Sequence, residues 1–176
     1  MANYVYIATS LDGFIATNDG GLDWLFEIPN PDGSDYGYAE FMHKIDAVVM
    51  GRHTFEKVLA FDAWPYAKPV FVLSNRLMGL SENITDKAEL VRGALKPLVS
   101  QLNHRGYHNL YIDGGRTIQG FLKEDLIDEM IITRVPILLG SGLPLFEGLD
   151  QPLHFTHQQT EVYNNSLVKS CYIRNK

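Results

Sequence analysis

At 176 residues, with 45% hydrophobic and 20% charged side chains, the chain has the composition of one globular domain, and no apolar run approaches the roughly 20 residues that a bilayer crossing requires. A net charge of −6 argues against a nucleic-acid partner, because backbone phosphates need a basic face. The single Cys171 allows neither an internal disulfide nor a cysteine metal site, the six histidines show no zinc spacing, and no basic region precedes an apolar stretch at the amino terminus, so a cytoplasmic protein without a metal is expected.

Tyr4–Thr9, β-branched and aromatic, reads as the first strand. Ser10-Leu11-Asp12-Gly13 turns the chain, Phe14-Ile15-Ala16 is a short apolar return, and the glycine and asparagine of residues 17–21 predict a mobile surface loop. Directly after a strand, such a loop is either a lid over a ligand or a long turn. Trp24 is a core residue or the wall of a pocket. Residues 27–35 hold two prolines and a glycine and are irregular; Ser34 or Asp35 then caps a helix over 36–44. Asp35 has two readings, as a cap that satisfies orphan N–H groups or as a buried acid that supplies a proton.

Ala47-Val48-Val49-Met50 is a buried strand stopped by Gly51, and Arg52-His53-Thr54 follows, with a short helix over 54–59. Pro69–Leu73 is a second such strand and runs into Ser74-Asn75-Arg76. Glu89-Leu90-Val91-Arg92 is a short strand, and apolar residues at 95, 98, 99 and 102 predict a helix over 95–104, ended by Gly106. Asn109–Ile112 is a third strand, leaving through Asp113-Gly114-Gly115-Arg116-Thr117 into a helix over 117–123 that faces Ile118, Phe121 and Leu122 inward. Residues 127–135 are strand-like. The apolar, glycine-punctuated segment 136–146 would be sticky if exposed, so it is expected to pack beneath the lid or against a second subunit, which suggests a homodimer. Residues 155–162 and 166–173 form an antiparallel hairpin about Tyr163-Asn164-Asn165. The whole is a mixed α/β sheet: a helix-linked parallel core finished by a hairpin.

Three apolar runs therefore leave into small or hydroxyl residues and an arginine. Ligands of open α/β sheets sit beyond the carboxyl ends of the strands, where helix N-termini turn N–H groups toward anions. Three such exits would build one basic pocket, suited to a phosphorylated nucleotide cofactor. Gly140-Ser141-Gly142 lacks the spacers of a nucleophile elbow, which argues against hydrolysis by that route.

These exits resemble the three cofactor-binding segments of the dihydrofolate reductase superfamily. Residues 10–16, Leu126-Ile127-Asp128-Glu129 and 136–146 are similar to its branch that contains the C-terminal reductase domain of the riboflavin-biosynthesis protein RibD. The resemblance covers nearly the whole chain. It implies a mostly parallel eight-stranded sheet with flanking helices, and NADPH as hydride donor to a pteridine-like or pyrimidine-like heterocycle. By matching positions, Gly51, Arg52, His53 and Thr54 would lie along the pyrophosphate and 2′-phosphate side, and Leu73, Ser74, Asn75 and Arg76 would hold the adenosine 2′-phosphate. Ile112, Gly114, Gly115, Arg116, Thr117 and Ile118 would meet the pyrophosphate and nicotinamide ribose, and Ala8 and Ile15 the nicotinamide. At the substrate end, Asp35 stands about where the folate enzymes carry a pocket carboxylate, with Glu40 as a rival. Thr133 lies on the strand that supports that acid, and Trp24 matches the tryptophan after the lid. Asp113 replaces a glycine usual in the folate enzymes. Dihydrofolate and a ribosylaminopyrimidine of riboflavin synthesis are the competing substrates; an NADPH-binding sensor without chemistry is the alternative.

Overall fold

In the computed structural model, which describes residues Met1–Lys176, β1 (Ala2–Thr9) and the short β2 (Phe14–Ala16) precede two short helices, α1 (Asp23–Phe26) and α2 (Tyr38–His43). Then follow β3 (Ala47–Gly51), α3 (Arg52–Leu59), β4 (Val70–Leu73), β5 (Ala88–Val91), α4 (Leu95–His104), β6 (Asn109–Asp113) and α5 (Gly115–Lys123). The chain ends with β7 (Glu129–Arg134), β8 (Leu143–Pro144), β9 (Phe155–Tyr163) and β10 (Leu167–Arg174). Eight strands form one sheet in the order β5-β4-β3-β6-β1-β7-β10-β9, parallel from β5 to β7 and antiparallel in the closing hairpin. This is the mixed, mostly parallel sheet that the sequence implies. No helix is long and apolar enough to cross a membrane.

Helices cover both faces of the central strands, which is why β3 reads as an unbroken apolar run rather than an alternating one. Ala47, Val48, Val49 and Met50 are fully buried. On one face, which we call the front, Phe41 of α2 and Phe55 and Val58 of α3 pack on Val48, Met50, Val70, Val72 and Tyr111. On the back, α4 contributes Leu98 and Leu102, and α5 contributes Ile118, Phe121 and Leu122, to a core with Val5, Val49 and Ile112. The hairpin turn has Asn164 and Asn165 at φ 53° and 51°, left-handed values that asparagine tolerates and that match the twist of paired strands.

Three helices start elsewhere than expected, each for a backbone reason. The helix α2 begins at Tyr38, because Tyr36 (φ 55°) and Gly37 (φ 88°) are left-handed and cannot join a right-handed helix. Helices α3 and α5 begin at Arg52 and Gly115, straight off the glycines that end or follow their strands, two residues before the expected starts at 54 and 117.

The segment 136–146 packs against the return strand. Phe14 pairs with Pro144 and Ala16 with Leu143, the Asp12 carboxylate accepts the Leu139 and Gly140 N–H groups at 3.2 and 2.7 Å, and Leu145 is fully buried. Leu138 and Phe146 stay exposed. A Cβ on Gly142 would stand 2.3 Å from the Ala16 carbonyl oxygen, a backbone clash that no rotamer relieves. Gly142→Ala is expected to part β8 from β2 and to cost about 1–3 kcal/mol, the usual range for overpacking. Urea unfolding measures this; an unchanged midpoint would show that the segment yields freely.

Candidate functional site

Neighbouring parallel strands β4, β3 and β6 end level with one another. Gly51 is in register with Leu73, and Met50 with Asp113, so the three exits lie within about 10 Å across the sheet edge at ordinary strand spacing. Helix α3 leaves on the front and α5 on the back, and their first turns interlock over that edge. A Cβ on Gly51 would stand 2.8 Å from Thr117 Oγ1, and one on Gly114 only 2.1 Å from Thr54 Oγ1. Neither helix has a side-chain cap, so both starts turn unclaimed N–H groups toward the same edge.

Arginines ring this edge. Arg52 donates to Glu56 Oε1 at 2.8 Å, while Arg76 and Arg116 are exposed and take part in none of the ion pairs. His53 is exposed on the first turn of α3. Buried Ser74 shapes the turn that carries Arg76, its hydroxyl accepting the Arg76 and Leu77 N–H groups at 3.2 and 3.1 Å; Asn75 Oδ1 accepts from Gly93 N at 3.4 Å. Arg92, at the exit of β5, donates to the Leu77 carbonyl and adds a fourth guanidinium. Its signal in the sequence was the same pattern, an apolar run ending in arginine. The return strand closes the edge from above: a Cβ on Gly115 would meet Ile15 Cδ1 at 2.5 Å. Lys57 donates to the Gly20 carbonyl and Asn18 to Ser141 at 3.0 Å, so the loop at 17–21 is tied down on two sides.

Beside this cradle strands β1 and β6 part, and the gap in their pairing is called the cleft below. Strands β1 and β6 pair from Ala2 and Asn109 only as far as Tyr4 and Tyr111, whereas β1 continues along β7 to Thr9 and β6 along β3 to Asp113. Tyr111 bridges the parting with a hydroxyl bond to the Tyr6 carbonyl at 2.9 Å. On the front face the cleft holds Tyr6 and Ala8 on one side and Asp113 on the other. Burial pushes the Tyr6 and Tyr38 phenols up to about 12, so both remain protonated donors. Asp113 Oδ1 accepts the Gly114 N–H at 2.8 Å and Oδ2 the Tyr66 hydroxyl at 3.1 Å. Burial raises its carboxyl above the ordinary range, against those hydrogen bonds.

The native chain thus keeps a proton on Asp113 that the unfolded chain releases near the ordinary aspartate value, about 3.9. Stability is therefore expected to fall as pH rises from there toward the carboxyl's own value, and Asp113→Asn to remove that part of the slope. Urea unfolding of both proteins across pH tests it; parallel curves would contradict it.

Asp35 lies outside the cleft. It is exposed, its carboxylate accepts the Ala39 and Gly37 N–H groups at 2.8 and 2.9 Å, and those bonds hold its pKa below the usual carboxylate range. Of its two readings the structure supports the cap, and an exposed, acid-shifted carboxylate is a poor store for a proton. Glu40 is exposed on the first turn of α2. Thr133 is buried on β7 beside Ala8 of β1 and Lys169 of β10. Trp24, 6% exposed, packs with Val135 and Leu167 against Ala8 and Tyr36, so it is a core residue at the rim of the cleft. The buried carboxyl at Asp113 and its tyrosine were not found by sequence reasoning, because 47 residues separate the pair.

The model of the RibD C-terminal domain family matches residues 4–169. The crystal structure of a protein from Shewanella sp. PV-4, provisionally named for riboflavin biosynthesis, is 53% identical with TM-score 0.97 over the full length of both chains. The uncharacterized protein YwjB of Bacillus subtilis (strain 168) is 34% identical over 97% of this chain and 96% of its own. The fold is shared with a deaminase/5-amino-6-(5-phosphoribosylamino)uracil reductase from Thermotoga maritima, 16% identical with TM-score 0.75 over 99% of this chain and 56% of that one. It is shared too with dihydrofolate reductase from Enterococcus faecalis, 16% identical with TM-score 0.67 over 99% and 97% of the two chains. With a family model spanning nearly all of its length, the chain belongs to the RibD C-terminal domain family.

Proposed function

We propose that this chain is an NADPH-dependent reductase acting on a pteridine-like or pyrimidine-like heterocycle. The observation that carries the proposal is the levelling of three arginine-bearing strand exits at one sheet edge, with two uncapped helix starts between them. The residues fit the dinucleotide. Close approach at Gly51, Gly114 and Gly115 leaves backbone within reach of a pyrophosphate, where any Cβ would intrude. Arg76, on a turn fixed by Ser74, suits the 2′-phosphate with Arg92 beside it, and Ala8 and Ile15 flank the place for the nicotinamide. When bound, NADPH supplies a hydride; the chain's own part is to align the ring, exclude water beneath the return strand and provide a proton.

The named activities of the fold relatives set the first substrates to try. Consumption of NADPH, followed by its absorbance, is expected with 5-amino-6-(5-phosphoribosylamino)uracil in its oxidised ribosyl form or with dihydrofolate. Asp35→Asn is expected to turn over as the wild type does, since Asp35 serves α2. Tight NADPH binding without turnover on either compound would favour a binding protein that has lost chemistry.

A further inference from the structure

We infer that the Tyr38 hydroxyl is the donor by which this chain selects its substrate ring, holding a carbonyl of an uncharged oxo-heterocycle and refusing the amino counterpart; the inference rests on the reductase reading above and names the substrate class of that same site. Four phenols gather on the front face where β1 and β6 part: Tyr6, Tyr38, Tyr66 and Tyr111. Three of them spend their hydroxyls inside the protein. Tyr6 donates to the Tyr36 carbonyl at 2.9 Å, Tyr111 to the Tyr6 carbonyl at 2.9 Å, and Tyr66 to Asp113 Oδ2 at 3.1 Å. The Tyr38 hydroxyl has no hydrogen-bond partner, although its side chain is half-buried. Burial, with Asp113 and Tyr6 nearby, pushes that phenol up to about 12, so it is a donor throughout the neutral range. An O–H so placed gains a protein-side bond only when a ligand brings the acceptor.

Tyr38 is also held in one place. It opens α2 directly after the left-handed pair Tyr36 and Gly37, and Asp35 fixes that bend by accepting the Gly37 and Ala39 N–H groups at 2.9 and 2.8 Å. Its ring packs on Tyr6 of β1, with centroids 5.6 Å apart at 64°, and on Phe41 at 6.3 Å. A donor fixed by packing costs little to order on binding, which is how a single hydrogen bond becomes selective. The charges nearby are all committed. Lys169, the cation that acts on Tyr6, donates to the Tyr36 carbonyl at 2.9 Å and pairs with Glu161 at 3.0 Å, and no cation acts on Tyr38, Tyr66 or Tyr111. Asp35 is engaged with backbone, and Asp113 with the Gly114 N–H and Tyr66, so neither carboxyl is free to meet a protonated, amino-substituted ring. Such a ring would lose water without gaining a counterion. A neutral ring whose carbonyl oxygen meets Tyr38 suffers no such loss, and uracil-type and pterin-type rings both carry that carbonyl.

Isothermal titration of the whole chain, saturated with NADP+, tests this with rings that differ at one position: pterin against 2,4-diaminopteridine, and uridine against cytidine, near neutral pH where all four are uncharged. In at least one pair the oxo ring is expected to bind about tenfold tighter or more than its amino counterpart, which offers the phenol no good acceptor. Tyr38→Phe should bring the two rings of that pair within about twofold, by weakening the oxo ring, while the NADP+ Kd stays within about twofold. Its urea midpoint should match the wild type, because the hydroxyl has no internal partner to lose. With a substrate that supports NADPH consumption, the same variant is expected to raise KM about tenfold and leave kcat within about threefold, the signature of lost uniform binding. A Tyr38→Phe protein that keeps the preference, or a wild type that binds NADP+ but neither prefers nor binds an oxo ring, overturns this inference alone. A wild-type chain that binds neither NADP+ nor NADPH overturns it together with the reductase reading.

Discussion

Gly114→Ala is expected to abolish measurable NADPH binding and to destabilise the fold by roughly 2–4 kcal/mol, from backbone strain and overpacking together. Gly114 sits at φ 90°, where a side chain is strained, and its Cβ would lie 2.1 Å from Thr54 Oγ1 and 3.3 Å from Thr54 Cβ. Thr54 is in the first turn of α3, where a β-branched side chain has few rotamers to escape into. The two helix starts would be forced apart at the place where both must face one anion. Gly120→Ala, in the same helix α5, is the control: its Cβ would stand 3.4 Å from Leu95 Cδ1, near ordinary contact, and alanine is the better helix former by about 1 kcal/mol. Urea unfolding and a cofactor titration of both variants test the pair, and equal behaviour would show that the interlocked starts are unimportant.

Arg76→Ala is expected to weaken NADPH by about 1.5–3 kcal/mol, roughly 10- to 150-fold in Kd, and to leave NADH unchanged. Its turn is fixed by a serine whose hydroxyl accepts two N–H groups, and the exposed guanidinium has no carboxylate to hold it back. Arg52, by contrast, is shared with Glu56, so Arg52→Ala should discriminate less between the two dinucleotides. Isothermal titration with each cofactor measures the difference. A parallel loss of NADPH and NADH on replacing Arg76 would move it from the 2′-phosphate to the pyrophosphate.

Much of the fold was legible because its signals are local. Ala47–Met50 and residues 70–72 are buried on both faces, which leaves continuous apolar runs that polarity alone marks as strands. The exits were legible for the same reason, each arginine lying within a few residues of its run. Helix starts were less so: helices were expected from 54 and 117, yet both begin two residues earlier, and the Thr54 and Thr117 side chains instead lie against glycines at the start of the opposite helix. What lay beyond the sequence were choices made by distant segments. Whether Asp35 caps or stores a proton depends on the left-handed bend at Tyr36-Gly37, which frees its carboxylate to reach back to Ala39. Whether Asp113 keeps its proton depends on burial beneath distant segments, which outweighs the hydrogen bond from Tyr66.

The central claim is convergence on a single dinucleotide, and tryptophan fluorescence tests it most directly. Trp24 touches Ala8 at the rim of the cleft, and Trp64 packs against Phe55 of α3, so the only two indoles flank the proposed site. Titration is expected to give a quench that saturates at lower concentration with NADPH than with NADH, and at far higher concentration with nicotinamide mononucleotide, which lacks the adenosine and its 2′-phosphate. Binding of NADPH no tighter than that of the mononucleotide would mean that the guanidinium groups at 52, 76 and 116 do not act on a common ligand.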